Sequence, residues 1–228
     1  MLDGSFRAPI EKIVRPVGML LRRTGMSPDH LTILGIVFAV AAAVAIGQGA
    51  LRGGLVLVIL AALPDMLDGA LAKASNSASQ RGAFFDSVID RVTDAVLFGG
   101  VAWYFASEKS AHLALLPMAI MGVSSLISYE RAKAEALGLY AKGGLMERAE
   151  RIIVLCFGLL FDSILVAVLW VMFILTIVTA VQRFVQVWRQ AEVSHTVQQK
   201  REVRHVRRVT RQSARASRRQ LSVVSRQR

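Results

Sequence analysis

At 228 residues, 54% hydrophobic, with a mean hydropathy of +0.48 and only 19% charged residues, the chain has too little polar surface for an ordinary soluble globule. Five prolines and 17 glycines exclude a collagen-like or low-complexity chain, and the single Cys156 excludes an internal disulfide or a thiolate metal site. The net charge of +12 is concentrated at one end: residues 189–228 carry 12 Lys or Arg against Glu192 and Glu202, a net +10.

Residues 1–26 place Phe6, Ile10, Ile13, Val14, Val17, Leu20 and Leu21 at helical spacing among Arg7, Lys12, Arg15, Arg22 and Arg23. The segment is too charged to span and is expected to lie in the membrane interface as an amphipathic helix. No signal-peptide pattern is read before Leu31, where the first long apolar run begins. Ser27 and Pro28 suit the cap and first turn of that run.

A helix needs about 20 residues to cross a bilayer. Apolar runs fall at 31–49, 53–73, 82–106, 111–136, 149–161 and 163–187, which predicts six transmembrane helices within a catalytic domain of residues 27–188. The fifth run is the shortest and begins among Arg148 and Arg151. Residues 189–228 follow as a basic cytoplasmic tail rich in Arg, Gln and Ser, expected to be disordered and attracted to anionic lipid. With no aromatic residue in it for base stacking, no nucleic-acid partner is expected.

If the N-terminus is cytoplasmic, six spans return the C-terminus to the same side, and only Arg52 and Lys109 of the 28 basic residues fall on the far side. That asymmetry predicts a multi-pass plasma-membrane protein with both termini cytoplasmic.

The second and third runs carry the chemistry. Asp65 and Asp68 stand three residues apart on one predicted helix, and Asp86 and Asp90 four apart on the next, so each pair shares a face. The short connection 74–81 predicts antiparallel neighbours that bring the four carboxylates together near the cytoplasmic surface. Isolated carboxylates at membrane level cost several kcal/mol each. A divalent cation relieves that cost, and an all-oxygen ligand set favours Mg²⁺ or Mn²⁺. The alternative is helix-end carboxylates paired with Lys73, Arg81 and Arg91 and facing water. Gly69, with Ala72 near it, leaves a bare helix surface for another helix or for a nucleotide; its place beside the carboxylates favours the nucleotide.

Asp65, Asp68, Gly69, Ala72, Gly82, Asp86 and Asp90 together match, with every spacing kept, the pattern D-x2-D-G-x2-A-[basic]-x8-G-x3-D-x3-D, which resembles the signature of the CDP-alcohol phosphotransferases. The basic position, usually arginine in that family, is Lys73 here, which turns a bidentate phosphate grip into a point-charge contact. Upstream, Pro28-Asp29-His30-Leu31-Thr32 is similar to the family's P-N-x-[LI]-T segment. The resemblance implies an all-α membrane protein with six transmembrane helices and an N-terminal interfacial helix, usually a homodimer. It also implies that Asp65, Asp68 and Asp86 hold metal, and that Asp90, at the edge of that metal set, is the general base. Pro28, Thr32, Asp65, Asp68, Gly69, Ala72, Lys73 and Gly82 are the implied binding residues for CDP-diacylglycerol.

The acceptor is read from cations outside the signature: Arg131 and Lys133 after the fourth run, Arg148 and Arg151 at the fifth, and Arg183 near the end of the sixth. Cations converging beside a metal site suggest an acceptor that itself carries phosphate; the alternative is that they snorkel to lipid headgroups. Residues 127–135, 143–151 and 181–183 resemble the actinobacterial phosphatidylinositol phosphate synthases of the same family. That resemblance implies inositol phosphate as acceptor, with phosphatidylinositol phosphate and CMP as products. A phosphatidylglycerophosphate synthase using glycerol 3-phosphate is the alternative within the family. An ion-coupled transporter is the alternative of another class, since carboxylates in membranes also mark ion paths.

Overall fold

The computed structural model describes residues 28–75, 80–141 and 143–192, with side chains described from 30 to 64 and from 80 onward in those ranges. The expected interfacial helix at 1–26 lies outside the described residues, as does the expected tail of 189–228 from 193 on; its first residues, 189–192, are helical rather than disordered. Among the described residues the chain is all-helical: α1 Pro28–Gly47, α2 Leu51–Ser75, α3 Gln80–Glu108, α4 Leu115–Ala136, α5 Arg148–Leu160 and α6 at residues 165–192. Single 3₁₀ turns at Ala111–Ala114 and Asp162–Ile164 lead into α4 and α6.

The helices lie where the apolar runs predict them. Among the described residues three segments are long and apolar enough to cross a membrane: His30–Gly47, Ala111–Ala136 and Asp162–Glu192. By length, α3 reaches roughly 43 Å at 1.5 Å per residue and α5 only about 20 Å, against a hydrocarbon core of about 30 Å.

Local sequence sets the ends. Gly49 sits at φ 79° and Gly138 at φ 71°, the left-handed conformation that only glycine adopts freely. Each closes its helix with a 6→1 and a 5→2 bond: Ala50 N to Ala45 O at 2.9 Å with Gly49 N to Ile46 O at 2.9 Å, and Leu139 N to Ala134 O at 2.8 Å with Gly138 N to Glu135 O at 3.0 Å. Within α2, Pro64 withholds the N–H that would bond the carbonyl of Leu60, one residue before Asp65.

Packing centres on α1, which lies against both α2 and α3. Gly35, Ala39 and Ala43 recur every four residues along it, and such small residues let helices approach closely. A Cβ on Gly35 would lie 3.3 Å from Ala61 O of α2, and one on Gly100 of α3 only 2.5 Å from Ala43 Cα. The core runs from Ile46, Val58, Leu97, Phe98, Val101 and Phe105 to Leu155, Leu159, Leu165, Leu169 and Met172, so the second half of α3 is its middle. At the far end of α3, Tyr104 donates to Asp162 Oδ1 at 2.9 Å, and Lys109 Nζ lies 3.5 Å from Asp162 Oδ2, which ties α3 to the α5–α6 turn. The Tyr104 oxygen, then the Asp162 carboxylate, push the Lys109 pKa above its ordinary value.

Gly99 and Gly100 give a paired test of this packing, because a Cβ on Gly99 meets nothing within 4 Å. Gly100→Ala should lower thermal stability in detergent by roughly 1–3 kcal/mol through overpacking on Ala43. Gly99→Ala should leave stability unchanged or raise it by up to about 1 kcal/mol. Equal melting temperatures for the two variants would contradict the close α1–α3 crossing.

Candidate active site

A small cavity of about 10 Å³, room for about one water, lies where four helices meet. Thr32 and Gly35 of α1, Ala61 and Pro64 of α2, Asp86, Asp90 and Thr93 of α3, and Arg148 of α5 line it. The cavity joins the segment implied by Thr32 to the aspartates of α3, and it reaches α2 at Pro64, directly before Asp65. Asp65, Asp68, Gly69, Ala72 and Lys73 lie on the α2 backbone, but their side chains, like that of Pro28, are outside the described residues.

Asp86, Asp90 and Asp94 follow one another at four-residue intervals on α3 and share a face. Asp86 and Asp90 are half-buried on the cavity, and Gly82 lies one turn earlier. Arg148 of α5 bridges two of the three: its Nη1 lies 2.6 Å from Asp90 Oδ1 and its Nε 3.3 Å from Asp94 Oδ1. Arg91 Nη2 approaches Asp90 Oδ2 at 3.4 Å. Arg151, three residues along α5 and only 3% exposed, donates from Nη2 to Asp94 Oδ2 at 2.9 Å and from Nη1 to Met146 O at 3.3 Å. The chain of contacts continues to α6, where Thr179 Oγ1 accepts from Met146 N at 2.9 Å and donates to Leu175 O at 2.8 Å.

The five cations read as acceptor ligands divide into three groups. Arg148 and Arg151 stand together on the aspartate face. Arg183, 5% exposed, uses its fork on the chain itself, donating to Gly143 O at 3.2 Å, Ile127 O at 3.2 Å and Glu147 Oε1 at 2.8 Å. Arg131 is exposed and paired along α4 with Glu135 at 3.0 Å, and Lys133 is exposed two residues later. Two residues that sequence reasoning did not single out belong to these contacts. Asp94 extends the aspartate stripe by one more interval of four, and Glu147 immediately precedes the helix that carries Arg148.

Among the described residues no group of three or more His, Cys, Asp or Glu side chains is close enough to hold a metal. The carboxylates of Asp86 and Asp90 on one cavity wall, with two further aspartates on the helix that supplies Pro64, are oxygen donors of the kind a hard divalent cation takes. The residues present therefore fit Mg²⁺ or Mn²⁺.

Residues 26–182 match the CDP-alcohol phosphatidyltransferase family. The chain is 38% identical over 185 residues to the phosphatidylinositol phosphate synthase of Mycobacteroides abscessus, covering 78% of this chain and 84% of that protein. Its fold is similar to the crystal structure of Mycobacterium tuberculosis phosphatidylinositol phosphate synthase with CDP-DAG bound, with a TM-score of 0.72, 34% identity, and coverage of 78% of this chain and 94% of that one. The same enzyme in complex with manganese and citrate matches with a TM-score of 0.72 at 34% identity, over 77% and 88% of the two chains.

The buried and exposed arginines should separate cleanly on stability. Removing one partner of a buried ion pair costs about 3–5 kcal/mol, whereas an exposed i,i+4 pair contributes about 0.3–0.5 kcal/mol. Arg151→Ala should therefore unfold at a distinctly lower temperature than the parent in detergent, and Arg131→Ala within experimental scatter of it. A melting temperature for Arg151→Ala that matches Arg131→Ala would show that the Asp94–Arg151 pair is not closed in solution.

Proposed function

We propose that this chain, which belongs to the CDP-alcohol phosphatidyltransferase family, transfers the phosphatidyl group of CDP-diacylglycerol to an inositol phosphate, yielding phosphatidylinositol phosphate and CMP. The observation that carries this reading is the cavity that sets Asp86 and Asp90 beside Arg148 and Pro64, in a chain 34% identical to a phosphatidylinositol phosphate synthase whose crystal structure holds CDP-DAG.

In the proposed reaction an acceptor hydroxyl oxygen forms a bond to the phosphorus that carries diacylglycerol. The bond from that phosphorus to the CMP oxygen breaks, and CMP leaves with the electron pair. A hydroxyl is a weak nucleophile near neutral pH, so its proton must go to a positioned base. Asp90 is assigned that role, since it lines the cavity and Arg148 fixes the direction of its carboxylate. Asp65, Asp68 and Asp86, with Asp90 at the edge of the set, would hold Mg²⁺ or Mn²⁺. That ion would neutralise the diphosphate and favour departure of CMP. Pro28, Thr32, Gly69, Ala72, Lys73 and Gly82 are assigned to the CDP moiety together with Asp65 and Asp68.

The acceptor phosphate is assigned to Arg131, Lys133, Arg148, Arg151 and Arg183. The ion pairs and cavity position of Arg148 support a role as a prealigned donor, with the enclosed Arg151 and Arg183 adding positive charge behind it, and exposed Lys133 supports one in first attraction. The surrounding architecture is proposed as six membrane crossings, with α2, α3 and α5 joining the three long apolar segments. Residues 1–26 would lie in the interface, both termini on the cytoplasmic side of the plasma membrane, and two copies would associate as a homodimer.

CMP release by purified protein from CDP-diacylglycerol, with Mg²⁺ or Mn²⁺ and a panel of alcohols, tests the whole reading. Release should require the metal and should be fastest with inositol phosphate; faster release with glycerol 3-phosphate would move the assignment to phosphatidylglycerophosphate synthesis. Asp90→Asn should abolish turnover, a loss of at least about 10²–10⁴-fold, while CDP-lipid binding is kept. Asp68→Asn should instead weaken metal and nucleotide binding together. Near-parental turnover by Asp90→Asn would remove Asp90 as the base.

A further inference from the structure

Asp94 takes no part in the transfer just set out, yet it is the one acidic residue among the buried polar side chains of the described residues, 4% exposed. An enclosed carboxylate is retained only where cations meet it, and a well-packed apolar cluster would often be as stable. Stability alone is therefore a poor reason for three charges to be gathered here. Both partners come from the first turn of α5 and take one oxygen each: Arg148 Nε meets Oδ1 at 3.3 Å, and Arg151 Nη2 meets Oδ2 at 2.9 Å. A guanidinium is planar and rigid, so fixing one edge directs the other. With Nε of Arg148 on Asp94, its Nη1 points to Asp90 Oδ1, 2.6 Å away. Arg151 is held from its other side by Met146 O at 3.3 Å.

We infer that Asp94 is a positioning residue. It holds Arg148 and Arg151 as one aligned pair, sets Arg148 against Asp90, and so fixes the donor on the cavity wall that meets the phosphate of the acceptor. The inference rests on the proposed transfer reaction and deepens it by adding a residue that lies outside the aspartate signature. Donors already aligned lose little freedom when an anion arrives, whereas donors released from Asp94 must be ordered by the acceptor itself. The loss of Asp94 therefore falls on acceptor use and leaves the CDP-lipid side unchanged.

The test is steady-state CMP release by the full chain in detergent. Inositol phosphate is varied at saturating CDP-diacylglycerol, then the reverse. Asp94→Asn, nearly isosteric and uncharged, should raise the KM for inositol phosphate by roughly tenfold or more and leave that for CDP-diacylglycerol within about twofold. Added to Arg148→Ala, it should raise the acceptor KM by less than it does alone, because the two residues act as a unit. A purely structural Asp94 predicts otherwise: kcat falls with the folded fraction and neither KM moves, which overturns the inference. Should Asp94→Asn give no monodisperse protein, Arg148→Lys carries the test, since it keeps the charge but cannot bridge two carboxylates. The same rise in acceptor KM is expected there, and an unchanged value overturns the positioning role. A parent protein that releases no CMP with inositol phosphate or glycerol 3-phosphate overturns the transfer reaction itself. An active parent with unmoved variants overturns only the role of Asp94.

Discussion

Arg148 lies between Asp90 and Asp94, and the arrangement of the site follows from that shared guanidinium. Bringing a carboxylate out of water costs several kcal/mol even after relaxation, so aspartates at four-residue intervals on one helix face cannot be enclosed without cations at matched height. The arginines that open α5 stand three residues apart and so occupy one face. A single short helix can therefore serve two carboxylates that are one turn apart. A lysine in place of Arg148 would neutralise one of them but could not hold both, because its ammonium is a point donor and the guanidinium a planar fork. The contact places the start of α5 against the middle of α3. Through Met146 and Thr179 it also fixes the connection that leads from α4 into α5 against α6.

The two halves of α3 do different work, and each makes the other possible. From Leu97 to Phe105 the helix is enclosed by apolar neighbours, with Gly100 seated on Ala43 and Tyr104 tied to Asp162 at the far end. Asp90 stands 19 residues before Lys109, about 28 Å along the axis at 1.5 Å per residue. The charged half is thus carried as an extension of a helix whose position is already set by burial. A polar site built this way keeps its geometry, since the rigidity comes from packing some distance away. The small residues of α1 serve the same end. Gly35 lets α1 approach Ala61 and Pro64, which brings Thr32 to the cavity wall together with the α2 turn that precedes Asp65.

Much of this was readable from residue order, and the exceptions have physical causes. Helix positions followed from apolar runs, including the short fifth helix, expected from 149 and found from Arg148. The stripe Asp86–Asp90 followed from a spacing of four, and Arg131 with Glu135 lies at the same spacing on α4. What spacing within one helix cannot give is a partner on another. Arg148, Arg151 and Arg183 read as cations awaiting an anion, and each in fact meets a carboxylate of the chain from a different element. Asp94 was visible as the next interval of four but stood outside the recognised pattern. Its burial became evident only with α5 in place. Helix α3 is long enough to span yet is not among the apolar segments, because Asp86, Asp90 and Asp94 with Arg91 stand in its first half.

These pairings also bear on how an anionic acceptor would be captured. Asp90 and Asp94 balance Arg148 and Arg151, Glu147 balances Arg183, and Glu135 balances Arg131. Each pair is nearly neutral at a distance, so the arginines add little to long-range attraction, which falls off over about 8–10 Å in physiological salt. Lys133, exposed and with no ion partner among the described residues, would be the cation left for that purpose. At contact distance the order reverses. A flexible ammonium must be immobilised by whatever it binds, while guanidiniums already held by carboxylates present fixed N–H dipoles at no further ordering cost. A site that attracted with a mobile lysine and oriented with paired arginines would separate encounter from alignment. It also avoids enclosing unbalanced positive charge beside the aspartates in the absence of substrate.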